Sequence, residues 1–181
     1  MASTVRLIPW LREDIQRGLS LEGNTSVEGW RLWIKVLSPR FAPVLLYRLA
    51  HSCHRRGWGA ASKALSMVNF VVFGIEIAAR CEIGPGLYLP HTQGTVIGAW
   101  SIGKNAVIYQ GVTIGAKELD FAYSEVSRPK LGDNVTIGAG AKVLGGVQLG
   151  PGARIGANAV VITSVPEGAL AVGIPAKVLS T

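Results

Sequence analysis

An apolar residue recurs at every sixth position through the C-terminal two-thirds of the chain, and glycine follows more than half of them directly. The longest unbroken run is Leu131, Ile137, Val143, Leu149, Ile155 and Val161; shorter runs are Ile77, Ile83, Leu89 and Val96, Ile102, Ile108, Ile114. Small residues such as Ala106, Val135, Ala141, Ala153 and Ala159 stand four positions after their apolar partner. A period of six is neither the helical 3.6 nor the strand 2. It is the hexapeptide signature of a parallel β-helix, in which about eighteen residues make one triangular coil. One aliphatic side chain per face points inward and stacks on its equivalent in the next coil, and no coil buries its own apolar face without neighbours. The expected fold is therefore mainly β: a left-handed parallel β-helix of hexapeptide repeats over 75–181, behind a short α-helical cap over 1–74.

Two breaks in the period mark where the coil carries additions. The step from Leu89 to Val96 is seven, and the extra residue falls in Pro90–Gly94, beside His91. The step from Ile114 to Leu131 is seventeen, so about eleven extra residues form an extruded loop over 116–130. Loops that interrupt a solenoid usually decorate a binding face.

The first 74 residues lack the repeat. Helices are expected at Val27–Val36, Arg40–Arg56 and Gly59–Phe73, the second with Leu45, Leu46, Leu49 and Ala50 on one face. Charges run throughout Met1–Ser20, which does not read as a signal peptide. The most apolar run, Met67–Ile75, is too short to span a bilayer. Residues 1–64 hold ten Lys or Arg and four Asp or Glu, so nearly all of the chain's net charge of +7 lies on the cap. A basic cap suits contact with anionic lipid or an acidic glycan as well as a plain solvated surface. No motif points to nucleic acid. The two cysteines, Cys53 and Cys81, have no metal spacing and read as free thiols in a reducing cytoplasm.

Of the three histidines, His51 and His54 are spaced i, i+3 on an expected helix without a third ligand nearby, so no metal site is expected. The repeat carries only His91, which argues against the zinc-dependent carbonic anhydrases built on such coils. His91 sits at the bulged corner Leu-Pro-His-Thr-Gln-Gly, and bulges re-aim side chains. A neutral imidazole there can take a proton from a hydroxyl. Glu76 precedes it by fifteen residues, a separation that places the two on neighbouring rungs. Glu76 also stands in an apolar run, where a carboxylate is costly unless paired. A Glu76–His91 dyad accounts for both observations. The bland alternative, a structural histidine, stays open on spacing alone.

From about Arg40 to Val178 the chain resembles the serine acetyltransferase family of hexapeptide acyltransferases. The resemblance is carried by Tyr47-Arg48-Leu49-Ala50-His51, by Glu76-Ile77 with Ile83-Gly84-Pro85-Gly86, and by Gln110-Gly111-Val112-Thr113-Ile114-Gly115. Ile137–Gly145 and the segment from Val165 to Lys177 also match. It implies a homotrimer with active sites at subunit interfaces and acetyl-CoA as donor. His91 falls on the general base and Glu76 on the acid that orients it, with backbone N–H groups such as that of Gly115 receiving the oxyanion. CoA would lie along Gly115, Ala116, Lys117, Gly138, Ala139, Ala157 and the Pro175–Lys177 segment, with Lys142 and Lys177 placed for its phosphates.

The departures concern the acceptor. Serine-specific members place Asp before the catalytic His, where this chain has Pro90, and Asp-Arg-His-Pro-Lys in the loop, where it has Val126-Ser127-Arg128-Pro129-Lys130. Pro90 binds no ammonium and Arg128 would repel one. The N-terminal helical region is shortened, and the tail that docks on the next enzyme of cysteine synthesis has no counterpart before Thr181. These features favour a sugar hydroxyl in polysaccharide synthesis as acceptor, with Tyr123 or Phe121 stacking on a ring and Arg128 meeting an acidic sugar. Serine, another small hydroxyl compound and a catalytically silent trimeric scaffold remain as alternatives. The expected location is cytoplasmic, with the basic cap facing the inner side of the membrane.

Overall fold

The computed structural model describes residues 7–23 and 35–179. Among the described residues, three helices, α1 (Leu7–Leu21), α2 (Ala42–Arg55) and α3 (Gly59–Phe73), precede fourteen short strands. The helix expected at Val27–Val36 falls largely on residues 24–34, outside the described ones. Helix α1 is an addition to the sequence reading, with Leu11, Ile15 and Leu19 buried on one face. Gly18 lets it approach closely, since a Cβ there would stand 2.5 Å from the Phe41 ring.

The strands form the three faces of a left-handed β-helix. The first face stacks β1 (Ile75–Ile77), β3 (Thr95–Ile97), β6 (Thr113–Gly115), β9 (Lys142–Leu144) and β12 (Val160–Val161) in parallel. The second stacks β2 (Glu82–Ile83), β4 (Ser101–Ile102), β7 (Lys130–Leu131) and β10 (Gln148–Leu149). The third stacks β5 (Val107–Ile108), β8 (Thr136–Ile137), β11 (Arg154–Ile155) and β13 (Leu170–Val172), and β14 (Lys177–Leu179) closes it antiparallel. Inward side chains make a continuous column, among them Ile83, Ile102, Leu131 and Leu149 on the second face.

The register corrects the sequence reading at one place. Val96 is not the inward residue; Ile97 is, fully buried and paired between Ile77 and Ile114. The corner before it is therefore two residues longer than a plain hexad and the turn after it one shorter. A strand alternates its faces, so Thr95 and Ile97 point in and Val96 points out. The period alone marked the slip but not which neighbour took the core position.

A solenoid needs its first coil closed, because the outward carbonyls there have no preceding coil to bond. Helix α2 supplies the donors: Tyr47 Oη donates to the Cys81 carbonyl at 2.7 Å, Arg48 to those of Ile83 and Gly84, and His51 Nδ1 to Ala79 at 2.8 Å. Arg48 also holds Asp14 of α1 through two 3.0 Å bonds, both side chains being fully buried. Asp14 in turn accepts from the Gly86 and Leu87 N–H groups. Burial pushes the Asp14 carboxyl up, against the pull of Arg48 and these donors.

Because a carbonyl only accepts, His51 carries its proton on Nδ1. Burial holds its ring below the ordinary histidine value, with the Ala79 carbonyl working the other way. An unfolded histidine protonates near pH 6.5, before the folded one does, so the stabilisation is complete above about pH 6.5 and is lost as the pH falls further. Melting temperature should drop more between neutral pH and pH 5.5 for the parent than for His51→Gln; equal drops would remove His51 as the cause.

Candidate active site

The histidine corner is built by the junction between α3 and β1. Thr92 Oγ1 donates to the Phe73 carbonyl at 2.7 Å, and the Gly94 N–H to the Gly74 carbonyl at 2.9 Å. Both Gly74 and Gly94 have positive φ, which this close turn-on-turn approach requires. His91 projects from the corner into solvent beside half-buried Pro90. Glu76 lies two residues beyond Gly74, in the middle of β1, and also faces outward.

Glu76 thus sits mid-strand on the first face, opposite Val96 of β3, and His91 sits in the corner that leads into β3. Among the described residues, no ion pair links them. Glu76 is not buried, contrary to what its apolar neighbours suggest: Ile75 and Ile77 point inward and Glu76 points out, so its carboxylate is hydrated and needs no partner to offset burial.

The outward residues of the first face run Glu76, Val96, Thr113, Lys142, Val160 from rung to rung. Lys142 lies three rungs, about 14 Å, below Glu76. Its ammonium reaches the Gly111 carbonyl at 2.5 Å, so one of its three donors is already spent on the corner. Gly138 and Ala139 line the same corner as His91 two coils below it and Ala157 three coils below, where the Gly140 and Asn158 N–H groups bond back to the preceding coil. Gly115, Ala116 and Lys117 lie across the face, at the corner where Gly145 donates to the Gly115 carbonyl. The proposed CoA residues therefore occupy two opposite edges of one face rather than a single groove of one chain. Pro175 and Lys177 are exposed at the end of the coil.

The extruded loop differs most from its sequence reading. Asp120 Oδ2 accepts from Ser124 N, Ser127 Oγ and Arg128 Nε, each at 2.8 Å. Partial burial works to raise the Asp120 carboxyl, but Ser127, Ser124 and Arg128 outweigh it and hold it below the usual carboxylate value. The Arg128 guanidinium also donates to the Gly98 and Asp120 carbonyls at 2.7 and 3.0 Å. It stacks on the Tyr123 ring 3.8 Å from its centroid, and Tyr123 donates to the Ala99 carbonyl at 2.7 Å. Arg128 is thus not a free cation facing the acceptor, and Tyr123 is not a free platform for a sugar. Both fasten the loop to the Gly98–Trp100 turn. Gly146 leaves room for the loop, since a Cβ there would stand 2.1 Å from the Val126 carbonyl. At the loop tip Leu119, Phe121 and Val126 are 85–88% exposed.

Cys81 is buried at the foot of this cluster, and burial pushes its thiol up to about 12. It is inert as a nucleophile at neutral pH. Among the described residues no cluster of His, Cys, Asp or Glu could hold a metal ion.

Residues 128–163 match the family described as Bacterial transferase hexapeptide (six repeats). The chain is 42% identical over 148 residues to a serine acetyltransferase of Helicobacter pylori strain J99, covering 81% of this chain and 85% of that protein. The chain belongs to the serine acetyltransferase family. It superposes on a Neisseria gonorrhoeae serine acetyltransferase with a TM-score of 0.84 at 29% identity, over 97% of this chain and 65% of that one. It superposes on a second, solved as a complex with CoA, with a TM-score of 0.82 at 30% identity, over 96% of this chain and 69% of that one. Like the members of that family, it is an acyltransferase enzyme.

Proposed function

We propose that the chain transfers the acetyl group of acetyl-CoA to the hydroxyl of L-serine. The observation that carries this reading is the Asp120–Arg128 pair. The main objection to an amino-acid acceptor was a cation in the pocket, and that cation is neutralised at 2.8 Å and held against its own chain. The same contacts take Tyr123 and Arg128 away from a sugar. The relatives named above, all serine acetyltransferases, support the same acceptor.

In this reading His91 accepts the serine hydroxyl proton as the oxygen bonds to the thioester carbonyl carbon. The C–S bond then breaks, and the imidazolium returns the proton to the CoA sulfur. Glu76, outward on the rung that His91's corner adjoins, stabilises the transient imidazolium charge. The two-edged distribution of the donor residues suits a groove shared by neighbouring copies, and the exposed apolar loop tip suits a contact there. A homotrimer satisfies both. Small residues at Gly138, Ala139 and Ala157 leave backbone open to the pantetheine arm, and exposed Lys117 and Lys177 suit the phosphates.

Pro90 carries the second reading, a sugar hydroxyl, which needs no partner for an ammonium group. Free-thiol release from acetyl-CoA by the purified protein separates the two. Turnover with L-serine that saturates at millimolar concentration is expected. Release with sugar acceptors and none with L-serine would replace serine by a sugar.

A further inference from the structure

Helix α3 is inside out. Two of its polar side chains point inward: Ser62 and Asn69 are 4% and 2% exposed and donate to the Ala50 and Pro43 carbonyls of α2 at 2.9 and 3.0 Å. Its apolar side chains point outward, with Met67, Val68, Phe70, Val71 and Val72 between 45% and 71% exposed. Trp58, 61% exposed, stands just before the helix with the Arg56 guanidinium 5.9 Å from its ring centroid. A helix on a water-facing surface shows the opposite pattern, and an apolar strip of this size marks a contact surface.

The charge around the strip indicates what it meets. Between Glu28 and Glu76 the sequence has seven Lys or Arg and no Asp or Glu. Pairing two copies through this face would bring Arg56 and Lys63 against their mates with no carboxylate of the segment to offset them. At fifteen residues the helix is about 22 Å long. Among the described residues, no helix is long and apolar enough to cross a membrane. An apolar strip with an aromatic at its end and an excess of cations beside it, Arg56, Lys63 and Arg80 against Glu76, is the pattern of a helix lying in the interface of an anionic bilayer.

We propose that the exposed face of α3, with Trp58, Arg56 and Lys63, docks the enzyme on an anionic membrane surface. A cavity of about 810 Å³ between α3, the first rung and the loop is lined by Met67 and Phe70 of this face and by Glu76. Docking therefore sets the first face of the β-helix beside the bilayer. The inference does not depend on the acceptor.

The test is flotation of the full-length protein with vesicles of phosphatidylcholine alone or mixed equally with phosphatidylglycerol, with the oligomeric state measured by light scattering. The parent should float with the anionic vesicles, and Val68→Gln/Val71→Gln should lower the bound fraction about tenfold with its mass unchanged. Arg56→Glu/Lys63→Glu should lower it on anionic vesicles too. No flotation of the parent, or equal flotation with neutral vesicles, would overturn the proposal. So would a change in oligomeric state in the glutamine variant, which would assign the face to a second copy.

Discussion

His91→Ala is expected to lower kcat for acetyl transfer by about 10²- to 10⁴-fold while leaving CoA affinity within about twofold, the range for removal of a general base. The reason is geometric. His91 is the one histidine on the repeat, since His51 is buried against the Ala79 carbonyl in the cap and His54 lies on α2. Its corner is fixed through Thr92 and Gly94 to the end of α3, so the ring needs little reorganisation to meet a hydroxyl. Glu76→Gln should cost less, about tenfold in kcat. Glutamine keeps the size of an exposed side chain and removes only the charge proposed to stabilise the imidazolium. Steady-state kinetics with calorimetric CoA titration checks both variants. A His91→Ala enzyme of nearly parental kcat would remove His91 from the mechanism.

The largest stability effect is expected at Asp14. Asp14→Ala leaves the Arg48 guanidinium buried without its counter-ion and two N–H groups, of Gly86 and Leu87, without an acceptor. Breaking such a pair from one side costs about 3–5 kcal/mol, which lowers the melting temperature by about 10 °C. Arg48→Met should cost a similar amount, because it frees the Ile83 and Gly84 carbonyls as well. The double variant Asp14→Ala/Arg48→Met should cost less than the sum of the two, since no unpaired charge then stays buried. Thermal melts of the three variants test this. Strict additivity would mean that the pair does not act as a unit.

These two sites differ in how far the sequence showed them. His91 was visible because it interrupts a regular period, and a strict repeat makes any departure conspicuous. The buried pair was not. Asp14 lies in a segment dense with charges, where one carboxylate looks like the rest. Only the packing of α1 on α2 shows that it is fully buried. Arg48 stood in a motif that marks the family, yet its work, closing the first coil's carbonyls, follows from where that coil ends.

Arg128 and Glu76 are the converse, charges whose setting in sequence misleads. Arg128, taken from its position, is a charge in the acceptor pocket. The structure places Asp120 against it and Tyr123 beneath it, and the charge is spent. Glu76, taken from its apolar neighbours, looks buried. Strand alternation turns it outward.

The period of six determined the β-helix, its three faces, the extruded loop and the odd corner at His91, because a repeat that must bury one side chain per face in every coil admits few other folds. Tertiary structure alone decided which of Val96 and Ile97 enters the core, which charges are neutralised and which side of α3 faces out. Those outcomes depend on partners distant in sequence: Asp120 beside Arg128, Asp14 beside Arg48, the α2 carbonyls beneath Ser62 and Asn69. A linear pattern records what each residue could bond. The fold decides which bond it makes.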